Sequence, residues 1–559
     1  MLSAVTMSGY AQSSGFEKLD EWTKIWKEGQ RTYFGYPCNQ QSPLHDFYRW
    51  YVATGMDQVN LNNAGDPMTD HPWNMSSQAF EREVIEFFAP LYGYDKKDVW
   101  GIVTHSGTDG NNHGIYFGAN VLFNTTGKKP VVYVSDEAHY SNMRLCDLQN
   151  LDLKLIKSDP MGRMIPEALE AALDTTRPAL VVYAMGSTFK GAIDDMQALN
   201  AVLAKHPSMP VYRHVDAALF GGYLPFTKHQ KMVSSKDQHF ESIAISGHKF
   251  FGIDSPSGLF LCTREVYDNQ NNYNVTYLNS NMKMINCSRD AVQPLKFWWL
   301  IQRVGYDQWC QQAEQMMACA AYLQSELQKI GWPCWRNEYS NTVFFRRPSP
   351  EICSKYNLAL GFDRGFGGEL AHVVVMQHVT KEKIDPFVAS LRQETEAAIL
   401  TMCQTMVERY PAATLQDLYK TCYQDFFGAE HLITDTAAVR QYLHSELAEL
   451  PKEDVLPISE PTGYRHRFQR MNLRAVQEGT MTEEDLLRAF FEAGHTEPVG
   501  ISWQDEWSRI ERIALDVHPA WKNKSIQRDL NKAAQQKAAV RHSNAFRKAY
   551  NPHYRIIRK

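Results

Sequence analysis

A lysine, Lys249, sits in the run Ile245-Ser246-Gly247-His248-Lys249-Phe250-Phe251-Gly252, directly after the apolar stretch Ser242–Ile245. A primary amine at a strand end, beside a histidine and flexible glycine, suits covalent capture of a carbonyl better than service as a solvated charge. Three clusters precede it. Ser106-Gly107-Thr108-Asp109-Gly110-Asn111 is a glycine-bearing turn at a helix start, where Gly107 and Thr108 offer N–H groups to an anion. Asp136-Glu137-Ala138-His139-Tyr140-Ser141 brings a histidine out of a strand, and His214-Val215-Asp216-Ala217-Ala218 brings a carboxylate to the end of another. A carboxylate at that depth is costly unless it meets a cation. Taken singly, each cluster has a structural explanation: a loop lysine, a chance turn, a hydrogen-bonded histidine. Their order along the chain is what carries the chemistry.

One ligand satisfies all four clusters: pyridoxal phosphate (PLP). Lys249 holds it as a Schiff base, and Asp216 facing the pyridinium nitrogen keeps the ring protonated as an electron sink. Gly107, Thr108, Ser246 and His248 are placed to hold the phosphate. His139 lies flat against the ring, and Ala218 is small enough to let the ring lie over it. Between the histidine and aspartate clusters, Gly186 to Asp195 supplies hydroxyls, Thr188 among them, near the ring oxygen or Asp216.

Such residues need a scaffold that delivers them to one edge. From Trp100 to about Leu261, short β-branched runs (131–134, 179–184, 211–215, 242–245 and 258–261) alternate with helix-length stretches, which implies a mostly parallel sheet. Ligands in such sheets sit beyond the carboxyl ends of the strands, where every nominated residue falls. Upstream, Phe16, Leu19, Trp22, Ile25 and Trp26 recur at helical spacing over 16–30, a pattern suited to core packing or to a subunit interface. Downstream come a polar loop over 275–290, helices over 294–329, strands at 341–346 and 372–376, and a helix over 384–408 ending at Tyr410-Pro411. The expected domains are an N-terminal segment (1–60), a large cofactor domain (61–295), a small α/β subdomain (296–410) and a mainly helical extension (411–559). Within the extension, Thr482 and Asp485 mark a capped helix start and Gly494 its stop. Deleting the extension is expected to leave catalysis partly intact.

Composition excludes several classes. The 559 residues are 44% hydrophobic and 22% charged with net charge −5, so no global charge excess points to nucleic acid. No apolar run approaches the roughly 20 residues of a spanning helix. Residues 1–12 lack a basic leader and are not read as a signal peptide. Ten scattered cysteines without a CxxC pair fit reduced thiols in a cytoplasmic protein rather than a zinc site. From Asp516 onward eleven Lys/Arg face two acids, a tail read as a solvated helical face more readily than as a nucleic-acid surface.

With these residues in place, the chain resembles the PLP-dependent group II amino-acid decarboxylases, and within them the bacterial histidine decarboxylases and plant serine decarboxylases. The resemblance spans about Leu19 to Leu400. It rests on Gly35-Tyr36-Pro37, Asn63–Pro67, Thr104–Asn111, His139-Tyr140-Ser141, Gly186–Asp195, Val215–Ala218, Ser246–Lys249, Trp335-Arg336-Asn337 and Ala371-His372. It implies the type I (aspartate-aminotransferase-like) fold with a mixed, mainly parallel seven-stranded sheet. It also implies a homodimer with active sites at the interface, and a mobile loop in which Tyr277 helps protonate the substrate carbon. The chain departs from the pattern at Asp109, where glutamate is usual, at Ile253–Ser257 in place of Ser-Pro-x-Pro-Cys, and over Asn279–Asn286. These departures lie where a side chain would be read, so serine or another small amino acid competes with histidine as substrate. Other PLP reactions, a catalytically dead scaffold and a nucleic-acid-associated enzyme are the competing functions.

Overall fold

The computed structural model describes residues 16–70, 74–275, 280–366, 368–427, 436–449, 476, 479, 481–487 and 502–523. Seven strands form the central sheet in the spatial order Val99–Thr104, Gly258–Thr263, Ser242–Ser246, Val211–Asp216, Ala179–Ala184, Val131–Ser135, Asp152–Ile156. All neighbours are parallel except those of Gly258–Thr263, which runs antiparallel to both its partners. The expected mixed, mainly parallel sheet is present. Apolar residues run continuously along the inner strands because both faces are covered. Val131, Tyr133, Val181 and Tyr183 enter one buried cluster, while Val132, Val134, Leu180 and Val182 enter the other.

The helix Gly107–Thr126 covers the second face and points its start at the site. Ser106 caps it by accepting the Asp109 N–H at 3.1 Å, and Gly127 ends it with φ 70°. Glycine inside this helix costs helical stability but permits close packing. A Cβ on Gly114 would stand 2.2 Å from the His214 ring, and one on Gly118 2.4 Å from Tyr212. The helix therefore lies almost backbone-on against the strand that carries Asp216.

Four strands of the two sheets are not among the runs that the sequence marks: Val99–Thr104, Asp152–Ile156, Cys334–Trp335 and Ala359–Asp363. Asp152–Ile156 is an edge strand with mostly exposed residues, so it lacks the apolar run of its neighbours. Ala359–Asp363 likewise mixes polar and apolar residues at the edge of a second sheet. That sheet is antiparallel and four-stranded, in the order Cys334–Trp335, Thr342–Arg346, Gly368–Val374, Ala359–Asp363. The polar stretch 275–290 is partly ordered: Tyr273–Val275 pairs with Ser280–Met282, and Arg289–Asp290 pairs with Asn62–Asn63.

The helical residues after Tyr410 share a core with the second sheet. Trp335, Phe344, Phe366 and Leu370 are buried with Ile399, Met402 and Met406 of the helix Lys381–Arg409, and with Leu418, Tyr419, Trp507 and Ile510 beyond it. Glu506, on the helix Trp503–Val517, bridges Arg346 of the sheet at 3.3 Å and Arg509 at 3.0 Å, all three buried. The described part of the extension is thus no free appendage. The Thr482 cap forms, with its hydroxyl accepting the Asp485 N–H at 3.1 Å, while Gly494 and the basic tail from 524 lie outside the described residues. Among the described residues no helix is long and apolar enough to cross a membrane.

Candidate active site

Asp216 closes its strand as a buried carboxylate. It accepts the Asn142 side-chain amide at 3.0 Å, and the Ala218 N–H lies 3.3 Å from its other oxygen. Lys249 follows the adjacent parallel strand. Burial pulls its ammonium below the usual lysine range, opposed by the negative charge of Asp216 and by the nearby Cys38 thiol. His139 is also held below its ordinary value by burial; Asp216 works against that shift and Lys249 with it. His139, Asp216 and Lys249, far apart in sequence, therefore lie within electrostatic reach of one another. The His139 ring is fixed by a 2.7 Å hydrogen bond between Nδ1 and Ser141 Oγ.

The anion seat assembles as well. A Cβ on Gly107 would fall 2.4 Å from Ser246 Oγ and 3.0 Å from Ala218 Cβ, which brings three nominated residues from three elements into one close-packed cradle. His248 is anchored through Nδ1, 3.2 Å from the Ser257 carbonyl. A Cβ on Gly247 would strike Phe297 at 2.5 Å and Ser257 Oγ at 2.6 Å, so only glycine fits between Ser246 and His248. Thr108 and Thr188 are exposed. The partner of Asp216 is Asn142 rather than the hydroxyl at 187 or 188, and Ser187 Oγ instead accepts the Ala192 N–H at 3.0 Å. Tyr277 lies outside the described residues.

Several residues escaped sequence reasoning. Asn142 is buried beside Asp216, and only its place after His139-Tyr140-Ser141 hints at it. Cys38, next to Gly35-Tyr36-Pro37, is brought to Lys249 because that segment threads the second sheet: Val374 N–H donates to the Phe34 carbonyl at 2.9 Å. Burial raises the Cys38 thiol, and Lys249 partly reverses the shift. Lys190 is buried between Glu137, at 2.7 Å, and Asp363, tying the His139 loop to the second sheet.

The departures noted in the sequence have structural duties. Burial raises the Asp109 carboxyl, but bonds from His113, the His105 N–H and Asn286 outweigh it and bring the pKa down to about 2. Asn286 reaches both Asp109 oxygens at 2.9 Å, which fastens the 280–290 segment to the start of the anion-binding helix. Asp254 accepts from Lys296 at 2.8 Å and from the Tyr48 hydroxyl at 2.6 Å.

The family profile described as "Pyridoxal-dependent decarboxylase conserved domain" matches residues 122–333. The chain is 32% identical over 396 residues to histidine decarboxylase from Solanum lycopersicum, spanning 69% of this chain and 92% of that one. The chain belongs to the PLP-dependent group II decarboxylases. It is 32% identical to serine decarboxylase 1 from Oryza sativa subsp. japonica, over 66% of this chain and 73% of that one. It is 31% identical to histidine decarboxylase from Mesorhizobium japonicum, over 67% and 97%. Among solved structures, L-methionine decarboxylase from Streptomyces sp. 590 in its internal aldimine form shares the fold, with TM-score 0.58, 21% identity, and coverage of 68% of this chain and 95% of that one. The protein is therefore a PLP-dependent amino-acid decarboxylase. Its cradle fits the cofactor: a desolvated amine, a small-residue seat at a helix start, and a buried carboxylate. Beside that carboxylate, Asn142 Oδ1 is buried without a hydrogen-bond partner among the described residues.

Proposed function

We propose that this decarboxylase converts L-histidine to histamine and carbon dioxide as a homodimer. The reading rests on Lys249, a desolvated amine with Asp216 and His139 in electrostatic reach, in a chain whose relatives include histidine decarboxylases of plant and bacterial origin. PLP, when bound, would supply an electron sink for the pair left at the substrate carbon as carbon dioxide departs. Lys249 is the amine that would hold the cofactor. Asp216, held by Asn142, keeps a proton on the ring nitrogen. His139, kept neutral by burial, packs on the ring and excludes water. Gly107, Thr108, Ser246 and His248 hold the phosphate, with Thr188 at the rim. Tyr277 delivers the proton to the substrate carbon.

A homodimer is supported by the helix Phe16–Arg31, which buries none of its residues within the chain. Phe16, Leu19, Ile25 and Trp26 are each more than half exposed, and Trp22 nearly so, an apolar stripe that a second copy would cover. A second substrate reading, serine, is favoured by the similarity to the rice enzyme.

Purified holoenzyme offered L-histidine and L-serine separately, with amine and carbon dioxide quantified, decides between them. Histamine formed with kcat/KM at least tenfold above that for ethanolamine formation is the expected result. Turnover of serine alone would replace histidine in the proposal, and a monomer by sedimentation would overturn the dimer.

A further inference from the structure

Away from Lys249 and Asp216, a cavity of about 450 Å³ opens between the central-sheet domain and the second sheet. That volume falls within the roughly 300–1,000 Å³ of small-molecule pockets. Tyr223, Lys228 and His229 line it from the first domain, Arg336 and Tyr339 from the turn after Cys334–Trp335, and Glu314 from the helix Gly305–Lys329. The decarboxylation site uses none of these residues.

The wall is built rather than accidental. Tyr339 takes the left-handed conformation at φ 62°, a strained choice for an aromatic residue. Its carbonyl accepts the buried Tyr223 hydroxyl at 2.7 Å, and its ring lies 4.3 Å from that of His229. Arg336 is half-buried, with Nε donating to Gln324 Oε1 and Nη1 to the Ser340 carbonyl, both at 2.9 Å. Both acceptors are neutral, and among the described residues Arg336 forms no ion pair. A partly desolvated guanidinium without a counter-ion, facing a cavity, is a recognition group for a planar anion. Lys228 adds a second positive charge at the exposed rim. Glu314 on the opposite wall works against a dianion, and Glu338 takes the Tyr339 hydroxyl at the edge.

We propose that this cavity is a second ligand site, taking a small monocarboxylate with an apolar or aromatic body. Arg336 holds the carboxylate, and Tyr223, Tyr339 and Met317 cover the body. Because its walls come from both domains, the occupant braces them against each other.

Calorimetric titration of the holoenzyme with benzoate and, separately, with inorganic phosphate tests this, while the cofactor absorption band reports any binding at the decarboxylation site. Saturable benzoate binding that leaves the band unchanged is expected. R336Q should weaken it at least tenfold and K228E, a change at an exposed position, at least threefold, both variants retaining the cofactor band. No saturable benzoate binding, tighter binding of phosphate, or benzoate affinity unchanged in K228E and R336Q would each overturn the proposal.

Discussion

Glu81 and Arg289 form an ion pair at 2.7 Å with side-chain exposures of 0% and 1%. Glu81 Oε2 also accepts from Asn63 Nδ2 at 3.0 Å, and Oε1 from the Val103 N–H at 2.8 Å. Arg289 Nη1 donates to the Gly65 carbonyl at 3.1 Å. The pair fastens the C-terminal end of the 280–290 segment to the strand that precedes the anion-binding turn. Glu81→Gln removes the charge at nearly constant volume and leaves a guanidinium buried without its counter-ion, and it also sets an amide N–H against one of three donors. Breaking a buried pair from one side costs about 3–5 kcal/mol, since the orphaned charge keeps its desolvation penalty. The expected result is a loss of that size in a urea transition followed by far-UV dichroism and by release of the cofactor band. Arg289→Met alone should cost a similar amount, and the double variant much less than the sum of the two. A loss below about 1 kcal/mol for Glu81→Gln, or strict additivity in the cycle, would refute the reasoning that this pair holds the segment.

Asn142→Ala removes an amide donor from a carboxylate, an interaction worth about 1.5–3 kcal/mol. Turnover should fall roughly tenfold to a hundredfold with KM nearly constant and the cofactor retained; an unchanged kcat would make Asn142 merely structural. Stability should decline as pH falls from 6 to 5. Burial lowers His214 and His378 to about 4, so below pH 6.5 the unfolded chain takes up protons there that the folded one refuses. Asp194, pushed up to about 6 by burial, acts in the opposite direction because its folded form protonates first. Across these three groups the difference is about one proton near pH 5.5, or about 1.4 kcal/mol per pH unit, with the burial-lowered His139, His248 and His372 adding to it and the burial-raised Glu241 and Glu394 opposing it; a urea midpoint flat from pH 6 to 5 contradicts it. Truncation after Arg409 keeps Ile399, Met402 and Met406 but removes Leu418, Tyr419, Trp507 and Ile510 from the core they share with Trp335, Phe344, Phe366 and Leu370, and leaves Arg346 without Glu506. The truncated chain should aggregate or lose its cooperative transition, and a soluble, fully active product would show that the second sheet stands without the later helices.

The sequence by itself determined the large sheet and the order of its chemical groups. Strands buried on both faces, such as Val131–Ser135 and Ala179–Ala184, are written as unbroken apolar runs; Gly107 starts a helix, Asp216 ends a strand and Lys249 lies shortly past the end of another. The edge strand Asp152–Ile156 carries no such signature, because most of its residues face water and burial does not select them. Only the tertiary structure decided which side chains meet across long separations. Asn142 beside Asp216, Cys38 beside Lys249, Lys190 between two loops and Arg336 over its cavity depend on how elements pack, and no local periodicity records that. The same holds for the helices after Tyr410, whose apolar faces announce burial but not the surface that buries them.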